Sequence, residues 1–236
     1  MKISIILPAY NEESRLPHCL DALLSYLPSQ DFDYEVIVSA DGCTDGTERV
    51  AAEYAASDPH VRIVSFPERL GKGGGILNAA RSASGDVLII TDVDLATPPE
   101  MIEPALAELQ KGADIVYGSR NLPDSKILVQ PPFHRKILGK AFNLLFRLLF
   151  GIDLHDTQCG FKAIRRGVLE ALIDDLSVMG FAFDVDLAVK AVRHGYRIVE
   201  MPVTWSHVEG STVRASKQVL EMGKDLLKLW FEDWRS

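Results

Sequence analysis

The sequence predicts an α/β protein: one domain built on a doubly wound, mostly parallel β-sheet flanked by helices. Apolar runs of strand length alternate with amphipathic helical segments through the first half of the chain, which is the βαβ pattern. Those runs are apolar on both faces, as strands covered by helices on two sides must be. The 236 residues suffice for one sizeable core, and no internal repeat, low-complexity tract or linker divides them.

The strands are "ISIILP" (3–8), "YEVIVSA" (34–40), "VRIVSF" (61–66), "DVLIITD" (86–92) and "DIVYGS" (114–119). Helical patterns begin between them, near Glu13, Thr44, Lys72 and Pro99. Pro98-Pro99-Glu100 is a good helix start, because proline is tolerated and acid favoured in a first turn. The second half is less regular. Residues 120–136 read as a loop with three prolines, followed by helical and strand patterns and a final helix from about Ser216.

Composition excludes several classes. Nearly half the residues are hydrophobic and a quarter are charged, as in ordinary globular proteins. A net charge of −8 argues against a general nucleic-acid binder. Three dispersed cysteines (Cys19, Cys43, Cys159) neither frame disulfides nor show zinc spacing, which suits a reducing compartment. The amino-terminal run is too brief for a signal peptide and no run of 18 apolar residues occurs, so the expected location is cytoplasmic, without a membrane span.

Open parallel sheets bind ligands beyond the carboxyl ends of their strands. Pro8–Glu12, Asp41–Asp45 and Asp92–Asp94 all fall at such ends and bring three polar loops to one edge. Asp92 and Asp94 are the sharpest signal. In a strand, positions i and i+2 point the same way, so both carboxylates are expected to face one ligand. Two unpaired acids after a buried strand suit a hard divalent cation that bridges to phosphates. The plainer alternative is a helix cap with a solvated turn.

The motifs "PAYNEE", "SADGCTDGT", "GKGGGILNAA", "GDVLIITDVD" and "GSR" resemble, in order and spacing, the nucleotide-binding half of glycosyltransferase family 2. "DTQCGFK" (156–162), "FAFDVDL" (181–187), "VTWSHVEGS" (203–211) and "EMGKDLL" (221–227) are similar to the dolichyl-phosphate β-glucosyltransferases, with the dolichol-phosphate mannosyltransferases next. The resemblance implies a GT-A fold, with residues 1–120 as a nucleotide-sugar half and 121–236 as an acceptor half. It also implies inverting transfer of glucose from UDP-glucose to a polyprenyl phosphate. Alternatives are a GDP-mannose donor, a saccharide acceptor, or a nucleotide-binding module without catalysis.

Residue by residue, the resemblance implies that Pro8, Tyr10, Glu12 and Asp41 hold the nucleoside. Asp92, Val93 and Asp94 would meet the diphosphate, Asp94 with Asp92 nearby holding a divalent cation, Mg²⁺ or Mn²⁺. Arg120 and Arg135, with Lys72 as a weaker candidate, would complete the charge clamp. Asp156 and Gln158 would line the sugar pocket. Two departures stand out: Ala40 replaces an acid, and Ala96 replaces the mannosyl branch's glutamine, which favours UDP-glucose. Thr212 replaces a usual lysine, so that either Arg214 or Lys217 substitutes or that phosphate contact is missing. Asp184 and Asp186 are the base candidates, set against a plainer role in helix-end charge; a phosphate acceptor needs no strong base.

Residues 125–152 carry five Lys or Arg and no acid. Within them Lys136, Lys140, Asn143 and Arg147 form a polar helical stripe, opposite Leu138, Phe142, Leu145, Phe146 and Leu149. This pattern over 135–151 predicts a helix lying in a membrane interface, its cations towards anionic headgroups, or else a helix packed on the sheet. Residues 216–234 divide similarly. Lys217, Glu221, Lys224, Lys228 and Glu232 are charged, while Leu220, Leu227, Trp230, Phe231 and Trp234 are apolar. That apolar stripe could anchor to a membrane, pack on the core or meet a second subunit.

Overall fold

The computed structural model describes residues 1–208 and 215–235. A seven-stranded sheet forms the centre. In chain order its members are β1 (Lys2–Ala9), β2 (Asp33–Asp41), β3 (Val61–Phe66), β4 (Val87–Ile90), β5 (Ile115–Ser119), β7 (Lys162–Arg165) and β8 (Ile198–Pro202). Their spatial order is β3-β2-β1-β4-β7-β5-β8, and every pairing is parallel except the two made by β7. The strand order reverses direction at β1/β4, where a doubly wound sheet opens a crevice for ligands. A small second sheet pairs β6 (Lys126–Val129) with β9 (Thr204–Ser206), so a strand lies within the region expected to be a loop.

Period-two alternation sends side chains to two cores, one on each face. Ile3, Ile5 and Leu7 of β1, with Val87 and Ile89 of β4, face α1 (Leu16–Tyr26), α2 (Thr47–Ser57) and α4 (Ile102–Gln110). Ile6, Leu88 and Ile90 face the opposite core. There they join residues of α3 (Lys72–Ser82), α5 (Phe133–Phe150), α6 (Arg166–Leu172), α7 (Phe183–Arg193) and α8 (Ala215–Arg235).

The two amphipathic helices form, and their faces follow the expected division in part. On α5 the buried residues are Phe146 and the polar Asn143, whose amide donates to Leu154 O at 2.8 Å. Phe133, Ile137, Leu144 and Leu148 are exposed, along with Leu138 and Leu145. Of the polar stripe only Asn143 is buried, while Lys136, Lys140 and Arg147 are exposed; Phe142 and Leu149 pack with Phe146 on the core, and much of the remaining apolar surface turns out. On α8 the residues facing the core are Leu226 and Leu229, whereas Leu227 and Phe231 are exposed. Trp234 and Leu220 have side chains outside the described residues. Among the described residues, no helix is long and apolar enough to cross a membrane.

Candidate active site

Strand ends build the first cavity, of about 190 Å³. Pro8 and Tyr10 come from the end of β1, Asp41 from the end of β2, and Lys72 from the first turn of α3. Asp92, Val93 and Asp94 lie beyond β4, in a turn closed by Leu95 N donating to Asp92 O at 3.1 Å. The acids thus sit past the strand, which ends at Ile90, and it is the turn rather than strand alternation that aims them. With Glu12, all eight residues expected at the nucleotide-sugar site line this cavity.

Its electrostatics are uneven. Lys72 Nζ lies 2.8 Å from Asp92 Oδ1. Burial opposes the Asp92 charge, yet the Lys72 ammonium outweighs it and holds that carboxyl below its ordinary range. Burial and then the neighbouring Asp92 push the Asp94 carboxyl up instead. Burial also raises Glu12, despite its two 2.6 Å contacts with Arg15. Asp94 is therefore short of positive charge, and its oxygen donor suits a hard divalent cation. Among the described residues no group of three or more His, Cys, Asp or Glu could hold a metal by itself. A cation here would have to draw remaining ligands from a bound diphosphate or water.

Asp41 has an added duty. Its oxygens accept the backbone N–H groups of Leu70 (2.6 Å) and Gly71 (2.9 Å), which fixes the loop entering α3. That loop carries Arg69, stacked over the Tyr10 ring at 3.7 Å and lining the cavity. Nothing in the local sequence marks Arg69, because the Tyr10 ring that it covers is brought there from a distant strand. The glycines of "GKGGG" serve packing: a Cβ at Gly73 would lie 2.7 Å from Phe183 Cβ.

A second cavity, of about 410 Å³, is basic. Arg120 and Arg135 line it with Lys136 and Lys140, opposite Asp156 and Gln158. Asp156 grips the Arg120 fork through Nε (2.7 Å) and Nη2 (2.8 Å) and accepts the Arg120 backbone N–H at 2.9 Å. Burial disfavours the Asp156 charge, but Arg120 holds its carboxyl below the ordinary range. Gln158 Nε2 is buried with no hydrogen-bond partner among the described residues. At Gly160 an added Cβ would lie 2.6 Å from Asp92 Cγ, so this glycine packs directly against a carboxylate of the first cavity.

Asp184 and Asp186 line neither cavity and are structural. Asp184 is buried 2.8 Å from the wholly buried Lys162 Nζ. Asp186 Oδ2 accepts the N–H groups of Ser177 (2.7 Å) and Val178 (2.9 Å). Both sit in the first turn of α7, so the plainer helix-end reading fits their surroundings better than a base. Thr212 and Arg214 lie outside the described residues, as does the side chain of Lys217. Lys162, inside a quoted motif, carried no expected role and supplies buried positive charge felt by Asp92 and Asp156.

The model of glycosyl transferase family 2 matches residues 4–173. Glycosyltransferase AglD of Haloferax volcanii is 37% identical over 98% of this chain, which spans 37% of that protein. The human dolichyl-phosphate beta-glucosyltransferase is 36% identical over 96% of this chain, which spans 74% of it. The Drosophila melanogaster enzyme of the same name is 35% identical, covering 98% of this chain and 74% of its own length. In fold, the chain matches glucosyl-3-phosphoglycerate synthase from Mycobacterium tuberculosis, solved with Mn²⁺, UDP and phosphoglyceric acid. The TM-score is 0.74 at 22% identity, covering 97% of this chain and 78% of that one.

Proposed function

The chain belongs to glycosyl transferase family 2, and from that premise we propose that it moves glucose from UDP-glucose to a dolichyl-type polyprenyl phosphate, with inversion. The observation that supports this reading is the pair of cavities, one rich in carboxylates and the other in cations. A nucleoside diphosphate with its cation suits the first, and an anionic acceptor suits the second. The names of the relatives and the alanine at position 96 both favour glucose over mannose.

In this reading Tyr10 and Arg69 hold the base, and Lys72 meets the diphosphate. Asp94 with Asp92 would hold Mg²⁺ or Mn²⁺, which when bound supplies Lewis-acid neutralisation of charge on the leaving group. Arg120, preset by Asp156, and Arg135 receive the acceptor phosphate. A phosphomonoester's second pKa of about 6 leaves its attacking oxygen ionised at neutral pH. That oxygen bonds to the anomeric carbon as the carbon–oxygen bond to UDP breaks, and UDP leaves with the electron pair. No proton needs to move, so engagement of Asp184 and Asp186 elsewhere costs nothing.

The lipid end of the acceptor needs an apolar surface. The row Phe133, Ile137, Leu144 and Leu148 on α5, with Leu128 and Val129 of β6, is exposed beside the basic cavity. We assign it to the cytoplasmic face of a membrane, while Lys136 and Lys140 serve the phosphate inside the cavity.

The test is a transfer assay of radiolabelled UDP-glucose and GDP-mannose against polyprenyl phosphate, 3-phosphoglycerate and free saccharides, with divalent ion. Glucosylated lipid phosphate as the main product is expected. Transfer from GDP-mannose, or to a water-soluble acceptor only, would overturn the assignment.

A further inference from the structure

We propose that Glu200 is a positioning residue that sets the Arg120 fork for the acceptor phosphate, acting through Asp156. This rests on the reading of the basic cavity as the acceptor site. Glu200 stands on β8, an edge strand of the main sheet, with its side chain 8% exposed. Its Oε2 accepts the His155 backbone N–H at 2.8 Å and lies 2.9 Å from His155 Nδ1. Its Oε1 accepts the Asp156 backbone N–H at 2.9 Å. Asp156 in turn takes the Arg120 fork and backbone N–H, and its Oδ1 accepts Gln158 N at 3.2 Å.

The chemistry of these contacts requires a carboxylate. The two successive amides are donors, and a carboxylate presents acceptors only. Glutamine of the same size would turn its NH₂ towards one of them. Holding two adjacent amides leaves the 155–156 backbone little freedom to rotate, and that backbone decides where the Asp156 carboxylate points. Asn143 of α5 secures the other side of the loop, through Leu154 O and the backbone N–H of Thr157. Glu200 itself does not line the basic cavity, so it acts on a ligand there only through Asp156 and Arg120.

A double-mutant cycle of Glu200→Gln and Arg120→Ala tests this on the whole chain, using polyprenyl phosphate in detergent and amide hydrogen exchange. Glu200→Gln should lower acceptor kcat/KM on the order of 10- to 100-fold, as misplacement of a reacting group by about 1 Å does. UDP affinity should stay at the parent value. In the Arg120→Ala background the same change should add nothing, whereas a merely structural role would add its full effect. The Arg120 amide, which donates to Asp156, should exchange faster in Glu200→Gln. An additive cycle, or an unchanged Arg120 amide, overturns the proposal. If the parent turns over no polyprenyl phosphate, the acceptor reading fails, and amide exchange alone decides the role of Glu200. Should the glutamine variant not fold, Glu200→Asp keeps the charge one methylene short, with the same pattern expected at smaller size.

Discussion

Gly160→Ala places a methyl group against the Asp92 carboxylate and so tests the packing that holds one wall of the first cavity. An ideal Cβ there lies 2.6 Å from Asp92 Cγ and closer still to Oδ2. Carbon atoms rest at about 3.5–4.0 Å, so the Asp92 side chain must retreat by about 1 Å. The backbone at Gly160 is not left-handed, so the effect is steric rather than a matter of φ. The retreat pulls Asp92 from Lys72, now at 2.8 Å, and disturbs the pair on which a cation would sit. Overpacking of this kind costs about 1–3 kcal/mol of stability. Displacement of a reacting group by about 1 Å costs on the order of 100-fold in rate. Denaturant melts and steady-state transfer, measured together, should therefore show a folded protein with kcat/KM down about 100-fold. In an Asp92→Ala background the alanine has nothing to strike, and its effect on turnover should vanish. Parent-like turnover in Gly160→Ala would refute the packing of Asp92 against this turn.

Further outcomes follow from the same charges. Asp184→Asn strands Lys162 in the core and should cost about 3–5 kcal/mol in urea unfolding; a fully stable but inactive variant would revive Asp184 as a base. Asp94→Asn should abolish divalent-ion-dependent UDP binding by calorimetry, yet melt higher than the parent at neutral pH without metal. The sign follows from a raised carboxyl: its charge costs stability above its folded pKa, and the cost fades as pH falls through that value. Asp92 and Asp156 behave oppositely: each contributes stability above the ordinary carboxylate range, lost as pH falls through its lowered value. Replacing Ile137, Leu144 and Leu148 by serine should release the chain from sedimenting vesicles with UDP affinity unchanged. Changing Lys136 and Lys140 to glutamine should raise acceptor KM and leave vesicle binding intact.

Much of the first cavity was legible because its signals are local. Buried strands announce themselves by apolar runs, and each run ends where its polar loop begins, so Pro8, Asp41 and Asp94 were found by position along the chain. Asp184 and Asp186 stayed open between two readings for the converse reason. Acid residues beside a motif look the same whether they face a ligand or a buried lysine, and only packing separates the two.

By itself the sequence determined the first five strands of the sheet, their loops and the acids at their ends, since strand period and turn chemistry act over a few residues. β7 and β8 emerged only in the folded sheet. Tertiary structure decided which way the helices face and who pairs with whom. Periodicity divides α5 into a polar and an apolar stripe without saying which meets the protein. Asn143 alone of the polar stripe is buried, its amide donating to Leu154 O, and Phe142, Phe146 and Leu149 of the apolar stripe pack on the core. The Glu200–Asp156–Arg120 chain joins residues up to 80 positions apart, a relation that exists only once β5, β8 and the intervening loop are folded together.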